Sequence, residues 1–198
     1  MKKRKFYIQL KILLLLVLAC FFISSCKDKP ANNNDPVPYS QLKNLHKEEL
    51  MDWNKKVVEI DHDVINKFIE RRKWDMEMTE TGLYWQIYKE NEDRPVLSKD
   101  IVEFSYKTYL LNGDVLYTSD ETGNRFMKID SNQEEAGLNE GLKMMHTGEK
   151  ARLILPPHLA FGVTGDGYKV PIYSILVYEI EVISVISPDE ENYDLFNF

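Results

Sequence analysis

Gly137-Leu-Asn-Glu-Gly-Leu-Lys-Met-Met-His-Thr-Gly-Glu-Lys-Ala-Arg-Leu-Ile-Leu-Pro-Pro-His-Leu-Ala-Phe-Gly162 is the stretch that decides the architecture. Leu138, Leu142 and Met145 recur at three and four residues, the spacing of one face of a short helix, and Gly148 supplies its stop. Ala151 to Leu155 then reads as a strand.

Upstream the apolar period is two. Leu83, Trp85 and Ile87 alternate with Tyr84, Gln86 and Tyr88, and Val102, Phe104, Tyr106, Thr108 and Leu110 alternate along a second strand. Asn112-Gly113 separates that strand from Val115-Leu116-Tyr117, and Asn-Gly favours the left-handed dihedrals of a tight hairpin turn. Further strands are expected at Phe126 to Ile129 and Ser174 to Ile186. One short helix against an antiparallel sheet makes residues 81–187 an α+β domain. An acidic tail, 188–198, follows it.

Before the domain, residues 41–80 read as a helical arm. Gln41 to Trp74 holds no glycine or proline, and Leu50, Trp53, Val57, Ile60, Val64 and Phe68 form an amphipathic stripe. The stripe must pack on its own domain or on a second copy, since 50, 53, 57, 60 and 64 also follow a heptad. Asp61-His62-Asp63 reads as a solvated charged turn, because adjacent helical residues point in different directions.

The 198-residue chain is 43% hydrophobic and 29% charged, which suits one domain with accessory segments. Its net charge of -7 argues against nucleic acid as a partner, because such affinity rests on basic side chains displacing counterions. The average conceals an asymmetry. Residues 1–25 carry five basic side chains and no acid, leaving 20 basic against 32 acidic residues in 26–198.

That basic start precedes a 12-residue apolar run, Ile12 to Ile23, short for a membrane span and right for a signal-peptide core. Ile23-Ser24-Ser25-Cys26 resembles the lipobox of bacterial lipoproteins, which implies that Cys26 is acylated and anchors the chain to the membrane; Cys20 matches less well, because Leu18 stands where a smaller or β-branched residue is preferred. Residues 27–40, with three prolines and three asparagines, read as a solvated tether. The expected location is the bacterial envelope, at the outer membrane facing the periplasm. Lys27-Asp28-Lys29 only partly resembles a surface-export signal, so an exterior orientation stays open.

Catalytic chemistry is not spelled out. With both cysteines at the start, the remainder offers no disulfide, thiolate metal site or cysteine nucleophile, and the four histidines (His46, His62, His146, His158) lack ligand-like spacing. No metal or other cofactor is expected. Gly162 to Gly167 lacks the Lys-Ser/Thr of a phosphate loop and reads as a flexible surface loop, while Glu134-Glu135 and Glu190-Glu191 read as solvated charge.

The opening stretch, with Val102 to Tyr106 and Leu111 to Ser119, resembles the FKBP-type peptidyl-prolyl cis-trans isomerases over about Gly82 to Ile186. The shared pattern is a helix opening Gly-aromatic/Leu-x-Glu-Gly/Ala-Leu, a Gly-Glu-Lys turn, a strand, and a Pro-x-x-x-Ala-Phe-Gly loop. With the lipobox and arm, the chain is most similar to the gliding-motility-associated isomerase lipoproteins of that family. The resemblance implies a curved antiparallel sheet around one short helix, with an apolar aromatic pocket for a proline ring. Its partners would be proline-containing peptides or proteins, and a macrolide inhibitor.

Carried over residue by residue, Tyr106 matches the pocket-wall tyrosine, Leu116 a position usually phenylalanine, and Phe126 another wall aromatic. Leu138 takes the pocket floor, and Phe161, Val170 and Tyr178 match the loop aromatic, an aliphatic wall residue and a strand aromatic. Phe104 and Ile180 are assigned to the sheet core. Three positions depart from the pattern: Tyr117 stands where an aspartate usually pairs with the pocket tyrosine, Phe161 lacks a hydroxyl, and Glu134-Glu135 replaces an apolar pair. Two functions remain open, an isomerase assisting the folding of exported proteins and a catalytically weak binding or chaperone module.

Overall fold

The computed structural model describes residues 39–131, 135–191 and 193. The signal segment, Cys20, Cys26, the tether as far as residue 38, Glu134 and residues 194–198 of the tail lie outside the described residues. Helix α1 (Tyr39–Arg72) is followed by β1 (Glu77–Met78), β2 (Tyr84–Lys89), β3 (Ile101–Leu110), β4 (Val115–Thr118) and a one-turn helix α2 (Ser119–Thr122). Then come β5 (Arg125–Lys128), helix α3 (Ala136–Leu142), β6 (Lys150–Leu155), a 3₁₀ turn (Pro157–Leu159) and β7 (Leu176–Ile186).

The seven strands form one antiparallel sheet in the order β1-β2-β6-β7-β3-β4, with β5 also on β3. The longest pairing, β3 with β7, runs from Ile101↔Ile186 to Leu110↔Leu176. The free edge of β3 is shared: β4 lies opposite Lys107 to Tyr109 and β5 opposite Ile101 to Phe104. A hairpin forms at Asn112-Gly113, but only Gly113 is left-handed, at φ 98°: its amide donates 2.8 Å to Leu110 O, so Leu111 and Asn112 are the central pair of the turn and Gly113 follows it.

One face of the sheet packs on α3. Leu138 and Leu142 are fully buried there with Phe104, Leu153 and Val182, and Met145, just past the helix end, joins them. The approach is close enough to require glycine, since a Cβ on Gly141 would lie 2.3 Å from Leu153 Cδ1 and one on Gly137 2.7 Å from Leu155 Cγ. Phe104 and Ile180 lie in this core, as assigned.

The opposite face is apolar too. Tyr84, Tyr109, Ile154 and Val177 receive Ile65 and Phe68 of α1, with Ile69 and Trp74 packed against them. The arm thus packs on its own domain through its last turns, where Arg72 stacks 3.6 Å over the Phe68 ring. The stripe differs from expectation. Val64 is exposed and Ile65 buried, and Leu50, Trp53 and Ile60 are exposed. The helix presents whichever face meets the four-residue outer patch, so only Phe68 of the expected stripe is fully buried. Asp61-His62-Asp63 is likewise not wholly solvated: His62 Nδ1 lies 2.9 Å from the Tyr84 hydroxyl, whereas Asp63 pairs on the surface with Lys67 at 2.6 Å.

Candidate functional site

Alternation along β3 points Val102, Phe104 and Tyr106 at α3, and the site is built on this face. Tyr106, Leu116, Leu138, Val170 and Tyr178 belong to one buried cluster, against which Tyr117 and Phe161 pack half-buried. Seven side chains expected from five separate segments therefore meet at one place. The Tyr106 ring is tilted 57° to Phe104 at 5.9 Å, its hydroxyl lies 3.0 Å from Thr122 Oγ1, and its amide donates 2.8 Å to Ser119 Oγ. The one-turn helix α2, unmarked in the sequence, thus supplies the partner of the Tyr106 hydroxyl.

Phe126 is not in the cluster. In the β3–β5 register Phe126 stands opposite Glu103, while Arg125 stands opposite Phe104. Directly opposed residues share a sheet face, so Phe126 faces away, 38% exposed, and Arg125 takes the inner wall. Its guanidinium lies 5.5 Å from the Tyr106 ring centroid and 5.6 Å from that of Phe104. The expectation that Phe126 lines the pocket is corrected by one residue.

Glu135 is also corrected. It is buried rather than solvated, because two partners come to it: the Tyr178 hydroxyl donates 2.7 Å to Oε1, and Arg125 Nη2 lies 3.4 Å from Oε2. Burial alone would raise the Glu135 carboxyl, but Arg125 and Tyr178 outweigh it and hold it below its ordinary value. Burial, then the Glu135 charge, pushes the Tyr178 hydroxyl well up. The wall expected to be apolar therefore contains an ion pair roofing a charge-assisted hydrogen bond.

The loop after β6 is tied, not free. Asp166 Oδ1 accepts 2.8 Å bonds from the amides of both Tyr168 and Val170, and Oδ2 accepts from the Tyr117 hydroxyl. Burial and the Asp166 partner push Tyr117 up to about 12. Lys169 Nζ donates 2.9 Å to Leu116 O and lies 5.0 Å from the Tyr117 ring. Val163, Tyr168 and Ile172 stand exposed on this loop.

No group of three or more His, Cys, Asp or Glu side chains among the described residues could hold a metal. The cluster offers aromatic and aliphatic walls, donors at its edge, and no activated nucleophile. Such a site can bind an apolar ring and alter its surroundings. Arg125 and Asp166 were missed by sequence reasoning, and Glu135 was noted but read as solvated; the strand register alone could have signalled Arg125.

The family model for FKBP-type peptidyl-prolyl cis-trans isomerase matches residues 92–183. Over 104 residues the chain is 36% identical to the mouse peptidyl-prolyl cis-trans isomerase FKBP9, covering 51% of this chain and 18% of that protein. Over 89 residues it is 38% identical to FK506-binding protein 2 of Dictyostelium discoideum, covering 44% of this chain and 67% of that one. The crystal structure of FkpA from Escherichia coli shares the fold, with a TM-score of 0.55 at 24% identity over 89% of this chain and 82% of that one. The match to the mouse relative thus spans less than a fifth of that protein's length.

Proposed function

The chain belongs to the FKBP-type peptidyl-prolyl cis-trans isomerases, and we propose that its domain accelerates rotation about X-Pro bonds in proteins of the bacterial envelope. The observation that carries this is the convergence of Tyr106, Leu116, Leu138, Val170 and Tyr178, with Tyr117 and Phe161 packed against them. An X-Pro amide resists rotation by about 18–20 kcal/mol because planarity gives its C–N bond partial double-bond character. Twisting removes that resonance and its charge separation, so walls that exclude water favour the twisted state over the planar one. No covalent step is needed. A preference of about 4 kcal/mol for the twisted amide gives roughly a thousandfold acceleration.

The test is exchange spectroscopy on a short proline peptide with and without the protein. Catalysed exchange, suppressed by an immunosuppressive macrolide, is expected; no acceleration at high protein concentration and no macrolide binding would remove the reading. The Tyr117–Asp166 tie favours a second reading, a weakly catalytic binding or chaperone module. If Tyr117→Asp raises turnover tenfold at unchanged stability, the native site is tuned for binding.

Envelope placement rests on the lipobox-like Ile23-Ser24-Ser25-Cys26, with Cys26 as lipid attachment point and the membrane as partner, and gliding motility is one machinery it would serve. Incorporation of labelled palmitate that disappears in Cys26→Ser supports it; unchanged labelling refutes it. Exposed Leu50, Trp53 and Ile60 leave part of the arm's stripe for a second copy, which sedimentation of the full chain against Trp53→Glu tests.

A further inference from the structure

The loop that closes the site has no sheet to hold it. Residues 156–175 contain one 3₁₀ turn and no strand, yet they supply two of the pocket's side chains, Phe161 and Val170. Phe161 is fixed at the base of the loop, where the Gly162 amide donates 2.8 Å to Pro157 O and the Tyr173 amide 3.0 Å to Gly162 O. Val170 stands beyond Gly162, 5% exposed, and the chain must double back to bring it to the cluster. Gly165 permits this at φ 66°, where a Cβ would collide with Val170 O.

The Asp166 carboxylate ties Val170 in place. Oδ1 accepts 2.8 Å bonds from the Val170 and Tyr168 amides, and Oδ2 accepts from the Tyr117 hydroxyl on β4. One side chain therefore joins a wall on the loop to a wall on the sheet, through bonds to an ionised acceptor that are roughly twice as strong as neutral ones. Lys169 makes a second crossing, its Nζ donating 2.9 Å to Leu116 O, but from a flexible stem at the exposed rim. Both crossings meet β4 at pocket residues, Leu116 and Tyr117.

We propose that Asp166 is a positioning residue of the isomerase: its carboxylate holds the Val170 wall against the Tyr117 wall before the peptide arrives, and so sets the affinity for proline peptides without touching the reacting bond. This rests on the isomerase reading and adds a residue to that same site. A loop free to leave the site must be ordered by each binding event, and the apparent affinity falls with the fraction of molecules whose pocket is already formed. Once the peptide is bound the walls are the same, so turnover of the complex is unaffected. The signature is a raised KM at unchanged kcat, which a loss of fold alone would not produce.

The experiment uses the full chain and the neutral peptide Ala-Leu-Pro-Phe, with exchange spectroscopy for kcat and KM and chemical-shift titration for affinity. Asp166→Ala should weaken affinity and raise KM at least fivefold, with kcat within twofold. Asp166→Asn, which keeps an acceptor for the two amides and a polar partner for Tyr117, should recover affinity to within twofold of wild type. Tyr117→Phe should weaken binding at least fourfold in the wild type and less than twofold in the Asp166→Ala background, because its hydroxyl acts through that carboxylate. An Asp166→Ala affinity within twofold of wild type, a loss carried by kcat instead of KM, an Asn variant as weak as the Ala variant, or independent effects in the double variant overturns the proposal. If Asp166→Ala fails to fold, Tyr117→Phe, which leaves both amide bonds intact, decides by its fourfold loss. Wild type that binds the peptide without turning it over would refute the isomerase reading while the affinity series still decides the role of Asp166; wild type that does not bind it refutes both.

Discussion

Tyr178→Phe removes a single oxygen from the best-shielded point of the site and isolates what the Glu135 tie contributes. The ring is 2% exposed and stays in place, so almost no packing is lost, while Glu135 Oε1 loses a 2.7 Å hydrogen bond. A hydrogen bond to a charged group is worth about 1.5–3 kcal/mol, and that is the expected loss near neutral pH. The sign with pH follows from the depressed Glu135 carboxyl. Its stabilisation is fully present above its ordinary value of 4.5 and is lost as pH falls through the lower folded value. Wild type and variant should therefore converge in acid, the gap shrinking toward the roughly 0.5–1.5 kcal/mol of a neutral hydrogen bond. Urea unfolding followed by tryptophan fluorescence at pH 7 and in steps below pH 4.5 measures both quantities. A gap below about 0.5 kcal/mol at neutral pH, or one that does not change in acid, would refute the charge-assisted tie.

Gly141→Ala puts a Cβ 2.3 Å from Leu153 Cδ1 and should destabilise by about 1–3 kcal/mol, read as a lower urea midpoint at unchanged slope. Phe68→Ala should cost about 3–5 kcal/mol if the end of α1 is part of the cooperative unit, whereas Trp53→Ala, at 65% exposure, should stay within about 0.5. Equal effects would show that the arm and the sheet unfold separately. Asp166→Ala leaves the Tyr168 and Val170 amides without their acceptor, so their hydrogen exchange should accelerate at least tenfold relative to the core strands. Unchanged protection would mean that the loop is held by other contacts.

The helix at Leu138, the hairpin at Asn112-Gly113 and the alternation of β3 were legible because each is a local pattern with one physical cause. Arg125-Phe126-Met127-Lys128 was not. Its two adjacent apolar residues fit a sheet equally well with either one inside, and a shift of one residue exchanges the faces. The choice is made by β3, where Val102 faces Met127 and Phe104 faces Arg125. Glu135 looked solvated for a related reason, since a carboxylate is buried only when distant partners arrive, and Tyr178 stands 43 residues further along the chain. The arm illustrates the converse. Its helix formed, but of the expected stripe only Phe68 is fully buried and Ile65, outside the stripe, is buried beside it, because the outer patch formed by Tyr84, Tyr109, Ile154 and Val177 decides which side chains are covered.

The two ties of the site share one pattern. The Tyr117 hydroxyl donates to Asp166 and the Tyr178 hydroxyl to Glu135. In both places the tie runs from a tyrosine hydroxyl to a carboxylate. Each hydroxyl is raised by burial and by its acidic partner, Tyr117 to about 12, while each carboxylate is held below its ordinary value. Neither member of either tie changes protonation between about pH 5 and pH 9, given ordinary carboxyl and phenol values near 4 and 10. The wall and the loop should keep one geometry across that range, so the affinity for a neutral proline peptide should be flat within twofold. A sigmoidal change centred inside it would place a titrating group in the site that these ties do not contain.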